Sequence, residues 1–535
     1  MKRFLISFVI VPLYLIIGLS AYSQVPTVGL LYHTDDVSDG YTLFSPEYNT
    51  SVYLINNCGE KINEWTFSEL PGVTCYLLTN GNLLRAGKDS LEIRDWNNNI
   101  IWSYAMTKNG LRQHHDIEPL PNGNILCLLG DRYSKKAIIA EGRDSNKVLP
   151  NFKLDKIVEL QPIGTNNASV VWEWKFFDHL IQDFDSTKPN FGIVANHPEL
   201  IDLNFKNGNN NDYTHANAID YNATLNQIII STRNMGEIYI IDHSTNTLQA
   251  AGHSGGNSNQ GGDILWRWGN PQVYRQGGAA DQKLFLQHDP KWVELNYADA
   301  GKISVFNNDA GGTMTHSSVH LITPVVNNGV YSKINNKFAP VDFEWSWNGS
   351  ILGNIVHQRS KSGVQSLPNG KFYICESTLG QVSEITKTEN LLWTYKNPSG
   401  FSLFNQFDSI SDDNSLFRAE KYPMDFPGFL GKDLTPKGII ENQNSISDSC
   451  INNNSGIEDL DYESFSIVNP VENGKIQFNQ NLSLKSIAII DMTGRVVYTH
   501  NIFNGNSLEI DLKPAIYIIQ LFSDKKIVTQ KIIVE

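Results

Sequence analysis

One element recurs six times along this chain: a tryptophan in an apolar stretch with a second aromatic two positions on. The copies are Trp65-Thr66-Phe67, Trp102-Ser103-Tyr104, Trp172-Glu173-Trp174, Trp266-Arg267-Trp268, Trp345-Ser346-Trp347 and Trp393-Thr394-Tyr395. Residues two apart in a strand share a face, so each copy presents a double aromatic to a neighbour. A second element alternates with the first: strand, turn, strand. Its clear copies carry Thr79-Asn80-Gly81-Asn82, Pro121-Asn122-Gly123-Asn124 and Pro368-Asn369-Gly370-Lys371 at the turn. Asn-Gly between apolar runs is a strong hairpin signal. Weaker copies span Ile219 to Ser231, Trp292 to Phe306 and Ile410 to Arg418.

The order is therefore outer hairpin, inner hairpin, repeated. The repeat opens on an outer hairpin near Val52 to Phe67 and ends on an inner one near Asp408 to Arg418. One unit is then completed by both ends, which closes a ring. Six blades of four strands is the simplest count. The expected fold is all-β: a six-bladed β-propeller over residues 24–441, followed by a small C-terminal β-sandwich domain. Residues 442–464 are polar, with Asn452-Asn453-Asn454, and read as a linker. Residues 465–535 alternate short strands with turns such as Met492-Thr493-Gly494.

A chain of 535 residues is too long for one ordinary core, and 41% hydrophobic residues argue against disorder. The net charge of -14, with no basic stripe, makes nucleic acid a poor partner. The five cysteines form no CxxC pair, which disfavours zinc-ribbon or thioredoxin chemistry. Lys2-Arg3, the apolar run Phe4 to Leu19, and the small residues Ala21 and Ser23 read as a signal peptide over 1–23. No later stretch approaches the about 20 apolar residues that a spanning helix needs, so no transmembrane segment is expected in the mature chain.

Three consecutive inner hairpins begin with histidine: His114-His115-Asp116, His215-Ala216-Asn217 and Gln287-His288-Asp289. Strand starts on one rim of a ring converge, so these side chains can meet. The hairpin of His215 adds Arg233 on its second strand. Three imidazoles suit zinc. A guanidinium beside a dication is unfavourable, whereas its donor fork matches the paired oxygens of a tetrahedral anion. Neutral imidazole is also a competent nucleophile. The set reads as a sulfuryl or phosphoryl transfer site, with a metal cage as the rival. Arg233 also has a structural alternative, pairing with Asp116 or Glu237. His179, His197, His253, His316, His320 and His357 read as structural or surface residues.

Residues from about Gly40 to Lys437 resemble the bacterial arylsulfate sulfotransferases. The likeness is carried by His114 to Asn124, His197-Pro198-Glu199-Leu200-Ile201-Asp202, His215 to Arg233, Ile241-Asp242-His243-Ser244-Thr245, Gly261 to Pro271 and Gln287-His288-Asp289. The resemblance implies a nucleotide-independent enzyme without cofactor or metal. Such an enzyme moves a sulfuryl group from a phenolic sulfate ester to a phenol through a sulfated histidine. By position, His288 matches the nucleophile, His215 and Arg233 match groups that bind the sulfuryl oxygens, and His115 or His114 matches a further histidine. Competing readings are a non-catalytic propeller that binds sulfated glycans or protein partners, and a histidine-metal lyase or hydrolase. The tail resembles the C-terminal sorting domains of the type IX secretion system of Bacteroidota, through Asn469-Pro470-Val471, Asp491 to Arg495 and Lys531-Ile532-Ile533-Val534. That implies export through the periplasm to the surface or the medium, with the secretion machinery as partner.

Overall fold

The computed structural model describes residues 26–442, 450 and 467–535, apart from 149, 206–211, 411, 468, 472, 493–494 and 523–526. The signal-peptide expectation and most of the linker lie outside these residues. The described chain is all-β. Six antiparallel sheets of four or five strands lie within residues 29–422.

Asn-Gly turns join the first two strands of three of these sheets. Gly81, Gly123 and Gly370 take φ of 80°, 86° and 76°, a left-handed turn that glycine adopts without a side-chain clash. Each repeated tryptophan lies on the fourth strand of its sheet: Lys61–Thr66, Ile100–Tyr104, Asn167–Lys175, Trp266–Trp268, Trp345–Trp347 and Leu391–Lys396.

These tryptophans also link the sheets. Trp65 donates its indole N–H to Asp95 O (2.8 Å), Trp102 to Asn167 O (2.9 Å) and Trp174 to Gly262 O (2.7 Å). Trp266 donates to Ala339 O (2.9 Å), Trp345 to Lys387 O (3.3 Å) and Trp393 to Asn57 O (2.7 Å). Every acceptor lies at the start of the fourth strand of the next sheet or in the turn or loop before it, and the sixth bond returns to the first sheet. A buried indole must place its one donor; here each places it on a neighbouring sheet. The first strands follow the same cycle, each beside the next: Pro71–Leu77, Gln113–Pro119, Ala216–Asn222, His288–Trp292, Gly363–Ser366 and Leu416–Tyr422, with the last returning to the first.

The sheet made by both chain ends departs from expectation. Its first strand, Leu416–Tyr422, pairs with Tyr41–Pro46, which pairs with Ser51–Ile55 and then Lys61–Thr66. One strand therefore comes from the C-terminal side and three from the N-terminal side, not two and two. Residues 408–415 are too polar to supply an inner strand, whereas every residue of Tyr41–Pro46 is buried. This places Arg418 inside the ring of first strands.

Cys58 and Cys450 form a disulfide, while Cys75, Cys127 and Cys375 are free and buried. Lys475–Asp491, Val496–Glu509, Ala515–Phe522 and Ile527–Val534 form one four-stranded antiparallel sheet over its own apolar cluster, with Ile487, Ile489, Ile519 and Ile532 at its centre.

Candidate active site

The first strands of three successive sheets break register beside their histidines. The pairing slips between Ile117 and Gln113, between Ala216 and Ala218, and between His288 and Lys291. Such bulges re-aim side chains. His115, His215 and Asp289 take φ of 61°, 47° and 57°, the left-handed region that side chains disfavour. Strain of this kind is held by surrounding contacts and clusters at functional sites.

The bulges bring the histidines together. The rings of His115 and His215 lie 4.9 Å apart, and Phe417 packs 6.1 Å from His115. The left-handed turn at His115 also lets both rings of the His-His pair touch, although neighbours on a regular strand face opposite ways. His114 Nδ1 is 2.6 Å from His115 Nδ1, and His114 Nε2 is 3.0 Å from Asp155 Oδ1. A carboxylate only accepts, so neutral His114 carries its proton on Nε2. Its Nδ1 then accepts from His115 Nδ1–H, which leaves His115 Nε2 with a free lone pair. Burial works against the Asp155 charge, but hydrogen bonds from His114 and Thr214 and the charge of Lys153 outweigh it. The carboxyl is held below its usual range.

His288 is buried, and its partners assign a single tautomer. Nδ1 lies 2.7 Å from Asn308 Oδ1 and 3.0 Å from Leu286 O, so it donates. Asn308 Nδ2 donates to Gln358 O and Lys361 O, which fixes the amide with its oxygen toward His288. Nε2 accepts the Lys361 amide N–H at 3.1 Å. Burial lowers the His288 pKa to about 3; the Asn308 bond opposes this, and the charges of Arg233 and Arg418 add to it. His115 is lowered well below its ordinary value by burial and by His114, His215 and His288. Both imidazoles are therefore neutral near pH 7.

Arg233 joins this corner through its backbone N–H, which donates to His215 O at 3.1 Å. Its guanidinium pairs with neither Asp116 nor Glu237. Asp116 is taken by Arg418, and Glu237 by Arg267. Arg233 Nη1 makes a long bond to Asn234 Oδ1 (3.4 Å), and among the described residues no carboxylate is in ion-pair contact with it. Burial lowers its pKa, and Asp212 opposes that. His215 hydrogen-bonds Asp212 at 2.8 Å, and about a quarter of its side chain is open to solvent.

Sequence reasoning missed the charged frame beneath. Arg418 Nη1 donates to Asp116 Oδ2 (2.6 Å), and its Nε lies 3.1 Å from Asp289 Oδ1. Asp116 also accepts from Tyr76 Oη and from the Ile219 N–H, and Asp289 accepts from the Val364 N–H. The two His-Asp dipeptides thus anchor neighbouring first strands to one buried arginine. Nothing in the local sequence marks Arg418, which stands only as the last residue of the weak inner hairpin near Asp408 to Arg418.

At the other end of these strands lies a cavity of about 750 Å3, lined by Glu118, Asp220, Lys291 and Glu420 among others. Burial pushes up the carboxyls of Glu118, Asp220 and Glu420, that of Asp220 to about 7. This end is acidic; the histidine end carries Arg233.

The model of the arylsulfotransferase family matches residues 76–418. The chain belongs to this family. Family membership makes it a sulfotransferase at the family level, with aryl sulfates and phenols as the substrate class. Residues 469–535 match the secretion system C-terminal sorting domain, so the chain carries a type IX secretion signal that indicates export to the surface or secretion. Among the described residues, no helix is long and apolar enough to cross a membrane. No curated protein matches. Similar solved structures include a protein of unknown function from Bacteroides caccae, 12% identical over 67% of this chain and 94% of that one (TM-score 0.36). Virginiamycin B lyase from Staphylococcus aureus is 10% identical over 69% and 88% (TM-score 0.31). PorZ, a surface component of the type IX secretion system of Porphyromonas gingivalis, is 9% identical over 91% and 74% (TM-score 0.20). At these TM-scores the likeness decides neither fold nor function.

Proposed function

We propose that this arylsulfotransferase is a six-bladed propeller, residues 24–441, that transfers sulfuryl groups between phenols through a sulfohistidine at His288. The closed cycle of indole bonds and first strands supports the propeller. The signal peptide over 1–23, the linker over 442–464 and a sandwich-type sorting domain over 465–535 complete the proposal.

The observation that carries the mechanism is a neutral, fully oriented His288 beside an arginine with uncommitted donors. In the first half-reaction the His288 Nε2 lone pair attacks sulfur, an N–S bond forms and the aryl S–O bond breaks. The aryl oxide leaves with the electron pair of the S–O bond and is protonated by solvent. The Nδ1 proton stays on the ring, held by Asn308 and Leu286, so positive charge on the sulfated ring is stabilised. Arg233 supplies donors to the equatorial oxygens, where such transition states carry charge, while His215 gives its Nδ1–H to Asp212. The Lys361 N–H, displaced from Nε2 by sulfur, is placed to donate to a sulfuryl oxygen. In the second half-reaction a phenol oxygen attacks sulfur, the N–S bond breaks, and a base takes the phenol proton. His115 Nε2 is that base: its lone pair is free, and the Asp155–His114 relay stabilises the imidazolium as it forms. The anionic donor enters from the histidine end, where the charge of Arg233 attracts it.

Phenol-stimulated release of p-nitrophenol from p-nitrophenyl sulfate is the expected activity. Release indifferent to phenol would indicate hydrolysis, and no release would leave a binding protein or a donor outside the simple aryl sulfates.

The lowered pKa of His288 has a kinetic sign. In a two-step transfer, kcat/KM for the donor reports the first half-reaction. A histidine of ordinary pKa would lose about 25-fold of its neutral form between pH 7 and pH 5. With His288 near 3, kcat/KM for the donor should fall less than about twofold over that range. A drop centred near pH 6.5 would contradict the assignment.

A further inference from the structure

His179, His253 and Asp263 take no part in the chemistry above. His179 is fully buried and stacks on Trp174 at 5.4 Å. Its Nε2 lies 2.9 Å from Ala250 O, and its Nδ1 lies 2.9 Å from Asp263 Oδ1. Carbonyl and carboxylate oxygens only accept, while a neutral imidazole has one N–H. Once Nε2–H serves Ala250, the bare Nδ1 faces a carboxylate, lone pair against lone pair. A positive charge is required between them, either a second proton or a cation. His253 brings its own Nδ1 to within 2.7 Å of the same Asp263 oxygen. The three ligand atoms lie within 4.8 Å of one another.

We propose that His179, His253 and Asp263 form a divalent transition-metal site, with zinc as the fitting ion, that clips two neighbouring sheets together. Two imidazoles and one carboxylate suit zinc, whereas calcium and magnesium favour all-oxygen sites. A carbonyl that takes the distal N–H of a ligating histidine is the usual orienting contact, and Ala250 O holds His179 in this way. Bond lengths near 2.0–2.1 Å put tetrahedral ligand atoms about 3.4 Å apart, so the set must open by roughly half an ångström. His253, 62% exposed and next to Gly252, can move to widen its own 2.7 Å approach, while the 2.9 Å gap between His179 and Asp263 opens by rotation of the Asp263 carboxylate. The fourth position opens to solvent on that side.

The location gives the site its role. His179 follows the fourth strand of one sheet, while His253 and Asp263 lie in the loop before Trp266–Trp268 of the next. Asp263 adjoins Gly262, whose carbonyl accepts the Trp174 indole. A Cβ at Gly262 would stand 2.0 Å from Ala250 O and 2.7 Å from His179 Nε2, so this approach excludes any side chain. The metal would reinforce one of the six inter-sheet links.

The test uses untagged mature protein, stripped with chelator, incubated with Zn2+ and desalted. Wild type should retain one zinc per chain and show a higher Tm than its stripped form. His253→Ala, a surface change, should keep the stripped Tm, lose the zinc-dependent rise and bind Zn2+ about 100-fold or more weakly, since loss of an orienting partner alone costs about 10–100-fold. His215→Ala should retain the zinc. Failure of wild type to retain zinc would overturn the proposal. Retention by His253→Ala with loss in His215→Ala would overturn it too, placing the metal among the site histidines.

Discussion

Replacing His288 with alanine is expected to lower kcat/KM for an aryl sulfate by about a thousand-fold or more, because loss of a nucleophile removes the route itself. No neighbour replaces it. His114 is tied to Asp155, and the free Nε2 of His115 belongs to a ring packed edge-on against His215 and tilted against Phe417. His288→Asn fills more of the space and should be as inactive, which separates chemistry from packing. Arg233→Ala should cost less, about 100- to 1,000-fold in kcat, the range for one oxyanion donor. An ordering in which Arg233→Ala is the more damaging would move the nucleophile elsewhere.

Arg418→Met is expected to destabilise the fold by about 3–5 kcal/mol, the cost of removing one partner from a buried ion pair. Asp116 is fully buried and Asp289 nearly so. Their partners come from the strands that begin at Pro71, Ala216, Gly363 and Leu416. Methionine matches much of the arginine stem but leaves Asp116 with no cation and Asp289 with only Lys291, 3.8 Å away. The urea midpoint measures the loss, with an unchanged slope showing that the unfolded state is the same. The double change of Asp116→Asn with Arg418→Met should recover part of it, since one of the two charges is then gone. A loss within experimental error would mean that water reaches this frame.

The repeat was legible because its signals are local. A tryptophan at every fourth strand and an Asn-Gly turn in three inner hairpins each follow from strand periodicity and turn geometry. The histidines were legible because they open consecutive inner strands. What stayed hidden depends on long-range contacts. The closing sheet takes three strands from the N-terminal side because Tyr41–Pro46 outcompetes the polar 408–415 segment, and no local pattern states that competition. Arg418 was missed with it. The bulges that turn His115 and His215 into left-handed backbone gave no signal, so which of His114 and His115 meets His215 could not be read. Arg233 was allowed Asp116 or Glu237 as partners; Asp116 is claimed by Arg418 from another sheet and Glu237 by Arg267 on the adjacent strand of its own sheet. The Cys58–Cys450 bridge spans 392 positions and could not be paired from spacing.

The most direct measurement is a rapid-quench reaction of the enzyme with p-nitrophenyl sulfate in the absence of any phenol, followed by peptide mass analysis at neutral pH. The account predicts a burst of p-nitrophenol approaching one equivalent per chain. It also predicts a sulfonate adduct on the peptide that carries His288, which disappears when phenol is added. A steady release with no burst, or an adduct on another residue, would contradict it.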